Sequence, residues 1–262
     1  GVSPCTPAAG SLRILGAQGI LGLRESFTYA AALIRMLEHR SMNVAFVHYH
    51  LDPGGVTQVL ANHLAALATT SPPPRIAILF GGRRGGWPAI DAEVSEATGL
   101  RLSAIPELDY DPEGEVSEQR LASELEAALA GLGFSPDETV VHVHNHNLGK
   151  SRALPAALRK LEAAGYRLLL QIHDFAEDFR PNNYAQQRAW FGASAAEFGA
   201  SIYPASPAIH YAALNRRDGE TLRSAGLPAE CLHLLPNPVL VREKAAPEAR
   251  EETRRRLNLP PE

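Results

Sequence analysis

Sulfur and tryptophan are scarce in this chain, whose 262 residues hold two cysteines, two methionines and two tryptophans. Cys5 and Cys231 are too few and too far apart in sequence for a disulfide framework or a zinc site, which fits a reducing cytoplasm. No apolar run approaches the ~20 residues that a membrane-spanning helix requires. The opening GVSPCTPAAG lacks the basic-then-apolar order of a signal peptide, so nothing in it directs export. Basic charge is not in excess either: 25 Lys and Arg stand against 29 Asp and Glu, a formal charge of −4. Without a basic field, neither nucleic acid nor an anionic membrane surface is an expected partner.

Apolar residues, by contrast, make up 45% of the chain, enough for a full core. From Met42 onward, short apolar runs alternate with helical patterns, the signature of a doubly wound parallel α/β sheet. The expected strands are 44–48, 76–80, 100–105, 139–144, 168–173, 200–203 and 232–235. Helical spacing follows Gly54-Gly55, runs through Leu121, Leu125 and Leu129, and recurs over 153–164. Asp218 is the expected N-cap of a further helix that runs to Gly226. Residues 1–41 precede this pattern as an extension of uncertain status, with amphipathic helical spacing over 26–39. The segment 107–126 holds eight acidic residues and one Arg, and reads as a solvated loop and helix face. Residues 241–262 are charged and mixed in sign, like a linker leading elsewhere.

Carboxyl ends of strands line the ligand crevice of open α/β sheets, and three of the expected ends are polar. The first is His48-Tyr49-His50, leading into Gly54-Gly55 at a helix start. Adjacent glycines permit positive φ and close approach of a ligand, while free helix amides favour an anion. The second is His142-Val143-His144-Asn145-His146-Asn147. Strand alternation puts its three histidines on one face, a spacing that suits a divalent metal as well as a hydrogen-bonded cleft. The third is Gln171-Ile172-His173-Asp174. After the second strand, Gly81-Gly82-Arg83-Arg84-Gly85-Gly86 reads as a mobile loop. Its two guanidiniums suit phosphate or carboxylate, with a solvated surface as the plainer reading. Pro236-Asn237-Pro238 ends the last strand in a constrained turn.

The ordered set Gly54-Gly55-Val56, Val140-Val141-His142-Val143-His144-Asn145, Gln171-Ile172-His173-Asp174, Ser206 and Pro236-Asn237-Pro238 resembles the N-terminal half of the GT-B retaining glycosyltransferases, in particular the large family four. The resemblance covers about residues 42 to 240. Gln171 stands where Thr is common, Pro238 where Gly is usual, and Thr57-Gln58 where Glu-Arg is frequent. What the resemblance implies is a Rossmann-like acceptor-side domain over 42–240, with 241–262 leading toward a second Rossmann domain that this sequence lacks. The implied reaction transfers a sugar from a nucleotide-diphosphate sugar to a hydroxyl with retention, in the cytoplasm, with no metal and no further cofactor.

In that scheme His173 contacts the donor sugar and positions it, and Asp174 could hold its imidazole in one tautomer. Gly54 and Gly55 let the main chain approach the donor diphosphate or the acceptor, and their amides stabilise charge on the leaving group. His144, Asn145, Arg83, Arg84 and Asn237 complete the expected donor- and acceptor-binding set. The acceptor, whether a small molecule, a lipid-linked group or a glycan, is left open. Two other readings compete: a metal-dependent hydrolase built on His142, His144, His146 and Asp174, and a non-catalytic binding half that pairs with a separate partner.

Overall fold

The computed structural model describes residues 42–192, 194–239 and 247–260. In chain order its elements are β1 (Asn43–His48), α1 (Gly55–Leu67), β2 (Arg75–Phe80), α2 (Ala92–Thr98), β3 (Arg101–Ala104), α3 (Glu118–Gly131), β4 (Thr139–His144), α4 (Ala153–Ala163) and β5 (Arg167–Ile172). They continue through α5 (Pro181–Phe191), α6 (Ala195–Ile202), β6 (Ile209–Ala213), α7 (Arg216–Ser224) and β7 (Leu232–Leu234) to α8 (Pro247–Arg256). The seven strands form one parallel sheet in the order β3-β2-β1-β4-β5-β6-β7. Strand order reverses between β1 and β4, so this Rossmann-like sheet has its switch point there.

Buried parallel strands need apolar residues on both faces, and β1 supplies them: all six of its residues are buried. Ala45 and Val47 join Tyr49, just beyond the strand, in a core with Val141, Val143, Leu170 and Tyr211, covered by Leu121, Leu125 and Leu129 of α3 and Leu154, Leu158 and Leu161 of α4. On the opposite face Val44 and Phe46 pack with Ile76, Ile78 and Phe80 under Leu60 and Leu64 of α1.

Six of the seven expected strands are present, with ends shifted by a residue or two. The seventh is a correction. Residues 200–203 lie at the end of α6, and the sixth strand is Ile209–Ala213. Ser194 and Glu197 form a capping box that commits the following residues to a helix, whose Phe198 and Ile202 are buried four residues apart. The cap of α7 is Asn215, whose Oδ1 accepts from the Asp218 amide at 3.0 Å, rather than Asp218 itself.

The chain divides into two compact units, and the larger, which ends at Pro238, contains the whole sheet. In the smaller unit α8 is followed by a turn in which the Arg254 Nε donates to the Pro260 carbonyl at 2.8 Å. The expected helix over 26–39 lies outside the described residues. No helix among the described residues is long and apolar enough to cross a membrane.

Candidate functional site

The switch point brings the ends of β1 and β4 side by side, with the end of β5 next to them, so all three polar strand ends share one rim. Asn145 locks them together. It holds φ at +58°, a left-handed conformation that Asn tolerates. Its carbonyl accepts from the Tyr49 hydroxyl at 3.1 Å, its amide N–H donates to the Gln171 carbonyl at 2.9 Å, and its Oδ1 accepts from the His173 amide at 2.8 Å. Asn145 is buried, with its Oδ1 and carbonyl already engaged, so it serves as a scaffold for the rim.

Helix α1 opens toward the same rim with no side-chain cap. Gly54 is extended, at φ 174°, so positive φ is not the reason for a glycine here. Packing is not the reason either: a Cβ on Gly55 would meet nothing within 4 Å, which leaves the helix start open to approach. The first amides of this 13-residue helix have no intrahelical partner and face an open approach, which favours an anionic group.

Beneath α1 lies a buried group of imidazoles. His142 and His144 stack at 4.5 Å between centroids, and His63 of α1 meets them at 5.4 and 6.0 Å. His142 Nε2 donates to Gln171 Oε1 at 2.9 Å. His144 is fully buried, so it does not line the crevice as expected; its Nδ1 lies 2.8 Å from His173 Nε2. Burial pushes His142 and His144 well below the usual imidazole pKa and lowers His63 to about 4. Burial, reinforced by neighbouring His50, takes His48 to about 3, and burial against the opposing charge of Asp174 leaves His173 at about 4. At neutral pH these rings are uncharged.

His146 departs from the expected shared face. The left-handed turn at Asn145 ends the alternation, and His146 Nε2 donates to the Ile202 carbonyl at 2.9 Å beside Tyr203 and Tyr211. Among the described residues no group of three His, Cys, Asp or Glu side chains is placed to hold a metal ion. The metal-hydrolase reading thereby loses its ligand set. Asp174 is half-exposed and pairs with Arg180 at 3.0 Å. The partner of His173 Nε2 is His144 Nδ1.

The loop after β2 is tied down rather than free. Arg83 grips Asp109 with two bonds of 2.6 Å and also pairs with Asp52. Its carbonyl accepts from the Leu51 amide at 2.7 Å, and the Gly86 amide donates to the Leu51 carbonyl at 2.8 Å. A Cβ at Gly81 would overlap the Tyr49 carbonyl and the Asp109 backbone, and one at Gly86 would overlap Pro53. Arg83 is therefore a clamp between loops, while Arg84 remains exposed on the same loop.

The clamp delivers residues that sequence reasoning missed. Tyr110 bonds His50 Nε2 at 3.1 Å through its hydroxyl and carries the Lys150 ammonium 4.7 Å above its ring. Tyr110 was legible as the one aromatic in an acidic stretch read as solvated. A cavity of about 400 Å³ at the ends of β5 and β6 is lined by His173, Asp174, Asp178, Arg180, Asn215 and Arg217. Ser206 does not reach this edge. It precedes β6, where its hydroxyl donates to the Glu162 carboxylate, and the residue in the equivalent place beyond the strand is Asn215. Asn237 is exposed, and its turn is held by Asn62, whose Nδ2 donates to the Pro238 carbonyl at 2.7 Å.

Fold and rim together define a Rossmann-like α/β protein whose polar strand ends gather at the strand switch point. No family model matches the chain. Mannosylglucosyl-3-phosphoglycerate synthase of Petrotoga mobilis is 30% identical to it over 199 residues, which make up 75% of this chain and 37% of that protein. The chain thus spans well under half the length of the curated relative it matches. The solved structure of Anabaena HepE in complex with UDP-glucose aligns with 83% of this chain and 50% of its own, at 14% identity and a TM-score of 0.48.

Proposed function

We propose that this chain is the N-terminal, acceptor-side part of a retaining GT-B glycosyltransferase of the family-four kind, working in the cytoplasm. The observation that carries the reading is the 30% identity, over three-quarters of the chain, with a synthase whose named product is a glycoside. The crevice supplies matching chemistry. In the reaction, the bond from the anomeric carbon to the diphosphate oxygen breaks, a bond to the acceptor oxygen forms on the same face, and the hydroxyl proton leaves with the nucleoside diphosphate or to solvent. The free amides at the start of α1 stabilise negative charge on the diphosphate or on an anionic acceptor. His173 contacts the sugar at the mouth of the crevice and orients it. Lys150 and Arg84 bring positive charge to the rim, which suits a phosphorylated hydroxyl acceptor such as a glucosyl-3-phosphoglycerate. A second Rossmann domain completes the donor site, in keeping with the length of the relative, and no metal or further cofactor takes part.

The test is product analysis on the full protein that contains this chain, supplied with UDP-, GDP- or ADP-sugars and hydroxyl acceptors that include glucosyl-3-phosphoglycerate. The expected result is one nucleoside diphosphate released per glycoside formed, with the anomeric configuration of the donor kept. An inverted anomer, or hydrolysis that depends on added zinc or manganese, overturns the reading.

A further inference from the structure

His173 has one ring nitrogen committed to the protein interior and one left for the crevice. Its Nε2 lies 2.8 Å from His144 Nδ1, its backbone amide is held by Asn145 Oδ1, and the residue lines the cavity at the ends of β5 and β6. A single proton must sit between the two imidazoles, because both rings are neutral, and it belongs to one or the other.

The far side of His144 decides which. Its Nε2 is buried and has no hydrogen-bond partner. Were the proton on His173 Nε2, His144 would accept it at Nδ1 and carry its own hydrogen on Nε2, as an orphaned buried N–H. With the proton on His144 Nδ1, the same Nε2 is a bare lone pair. Orphaned buried N–H donors are rare, whereas under-satisfied acceptors are somewhat commoner, so the bare lone pair at Nε2 is the better tolerated of the two. No neighbouring ring relieves the choice. His142 stacks face to face with His144 at an interplanar angle of 25° and spends its Nε2 on Gln171, and His63 Nε2 is itself without a partner.

We infer that His144 is a positioning residue that donates from Nδ1 to His173 Nε2 and so fixes His173 as the Nδ1–H tautomer, presenting a hydrogen-bond donor to the crevice. His173 is then neither a nucleophile nor a general base at rest, since its basic lone pair faces inward. The tautomer assignment stands by itself. Its use, to hold an oxygen of the sugar or acceptor, rests on the glycosyltransferase reading. The arrangement also gives the buried His144 a task that no apolar residue of similar size performs, because only a donor at that point selects the tautomer of its neighbour.

Long-range proton–nitrogen NMR on the 262-residue chain at neutral pH reads this directly, with the His173 ring assigned by its loss in His173→Gln. The expected wild-type spectrum has the proton on His173 Nδ1 and a bare Nε2. In His144→Phe, which keeps a ring against His142 and Phe46, His173 should relax toward the Nε2–H form. His144→Asn, whose amide can stand near the lost Nδ1, should restore Nδ1–H. Finding the wild-type proton on Nε2, or an unchanged Nδ1–H form in folded His144→Phe, overturns the inference. If His144→Phe does not fold, the wild-type spectrum alone decides. No substrate enters this experiment, so its failure is separate from a failure of the transfer assay.

Discussion

Protons reach the buried imidazoles only at the expense of the fold. His48 stands at about 3 and His63, His146 and His173 at about 4 in the folded protein, against about 6.5 for a free imidazole. The unfolded chain therefore takes up protons first as pH falls. Stability is full above about 6.5 and is lost on the way down toward 4 and 3, at up to ~1.4 kcal/mol per pH unit for each such histidine. Thermal melts followed by circular dichroism should show a steep fall in Tm between pH 7 and 5, and a flat profile would mean that these rings are solvated. His142→Ala removes a buried ring and takes the His142 donor from Gln171 Oε1, a loss expected to be about 2–4 kcal/mol in urea titrations. His173→Ala, at the rim, should cost less stability and more kcat. At this scale the sequence displayed the histidines and their place at strand ends. It did not display the +58° turn at Asn145, which sends His146 to the other side, because tertiary bonds to Tyr49, Gln171 and His173 hold that conformation.

Between elements, glycines have two different uses that look identical in sequence. Gly81 and Gly86 are pressed against backbone, whereas Gly55 borders open space. Gly81→Ala or Gly86→Ala should displace the clamp around Arg83 and destabilise the protein by roughly 2 kcal/mol or more, on the scale of overpacking. Gly55→Ala, at the first position of α1, should be neutral or stabilising by about 0.4–1 kcal/mol if Ala adopts the same backbone. Urea titrations of the three variants check the contrast, and equal effects would mean that the loop is loose in solution. Periodicity found α1, α3 and α4 because each has a clear apolar stripe. It misplaced the sixth strand because Ile202-Tyr203 looks extended until the capping box at Ser194 and Glu197 is recognised. Strand β6, with His210 between Ile209 and Tyr211, has no such clean apolar run.

Over the whole molecule, alternation of strands and helices was enough to anticipate a parallel doubly wound sheet, since consecutive parallel strands need crossovers. The strand order, and hence the adjacency of β1 and β4, belongs to tertiary packing and became visible in the structure alone. If, as proposed, a second domain forms one wall of the donor site, the isolated 262-residue chain should unfold cooperatively yet fail to turn over any nucleotide sugar. Robust turnover by the purified chain would contradict that division of labour. Whether chemistry takes place at the switch point is read by amide hydrogen exchange on the full protein, with and without saturating nucleotide sugar and acceptor. Slowed exchange is expected over residues 48–58, 144–149 and 173–174, while the amino ends of the strands stay unchanged. Unaltered exchange in those three segments, together with protection elsewhere on this domain, would contradict it.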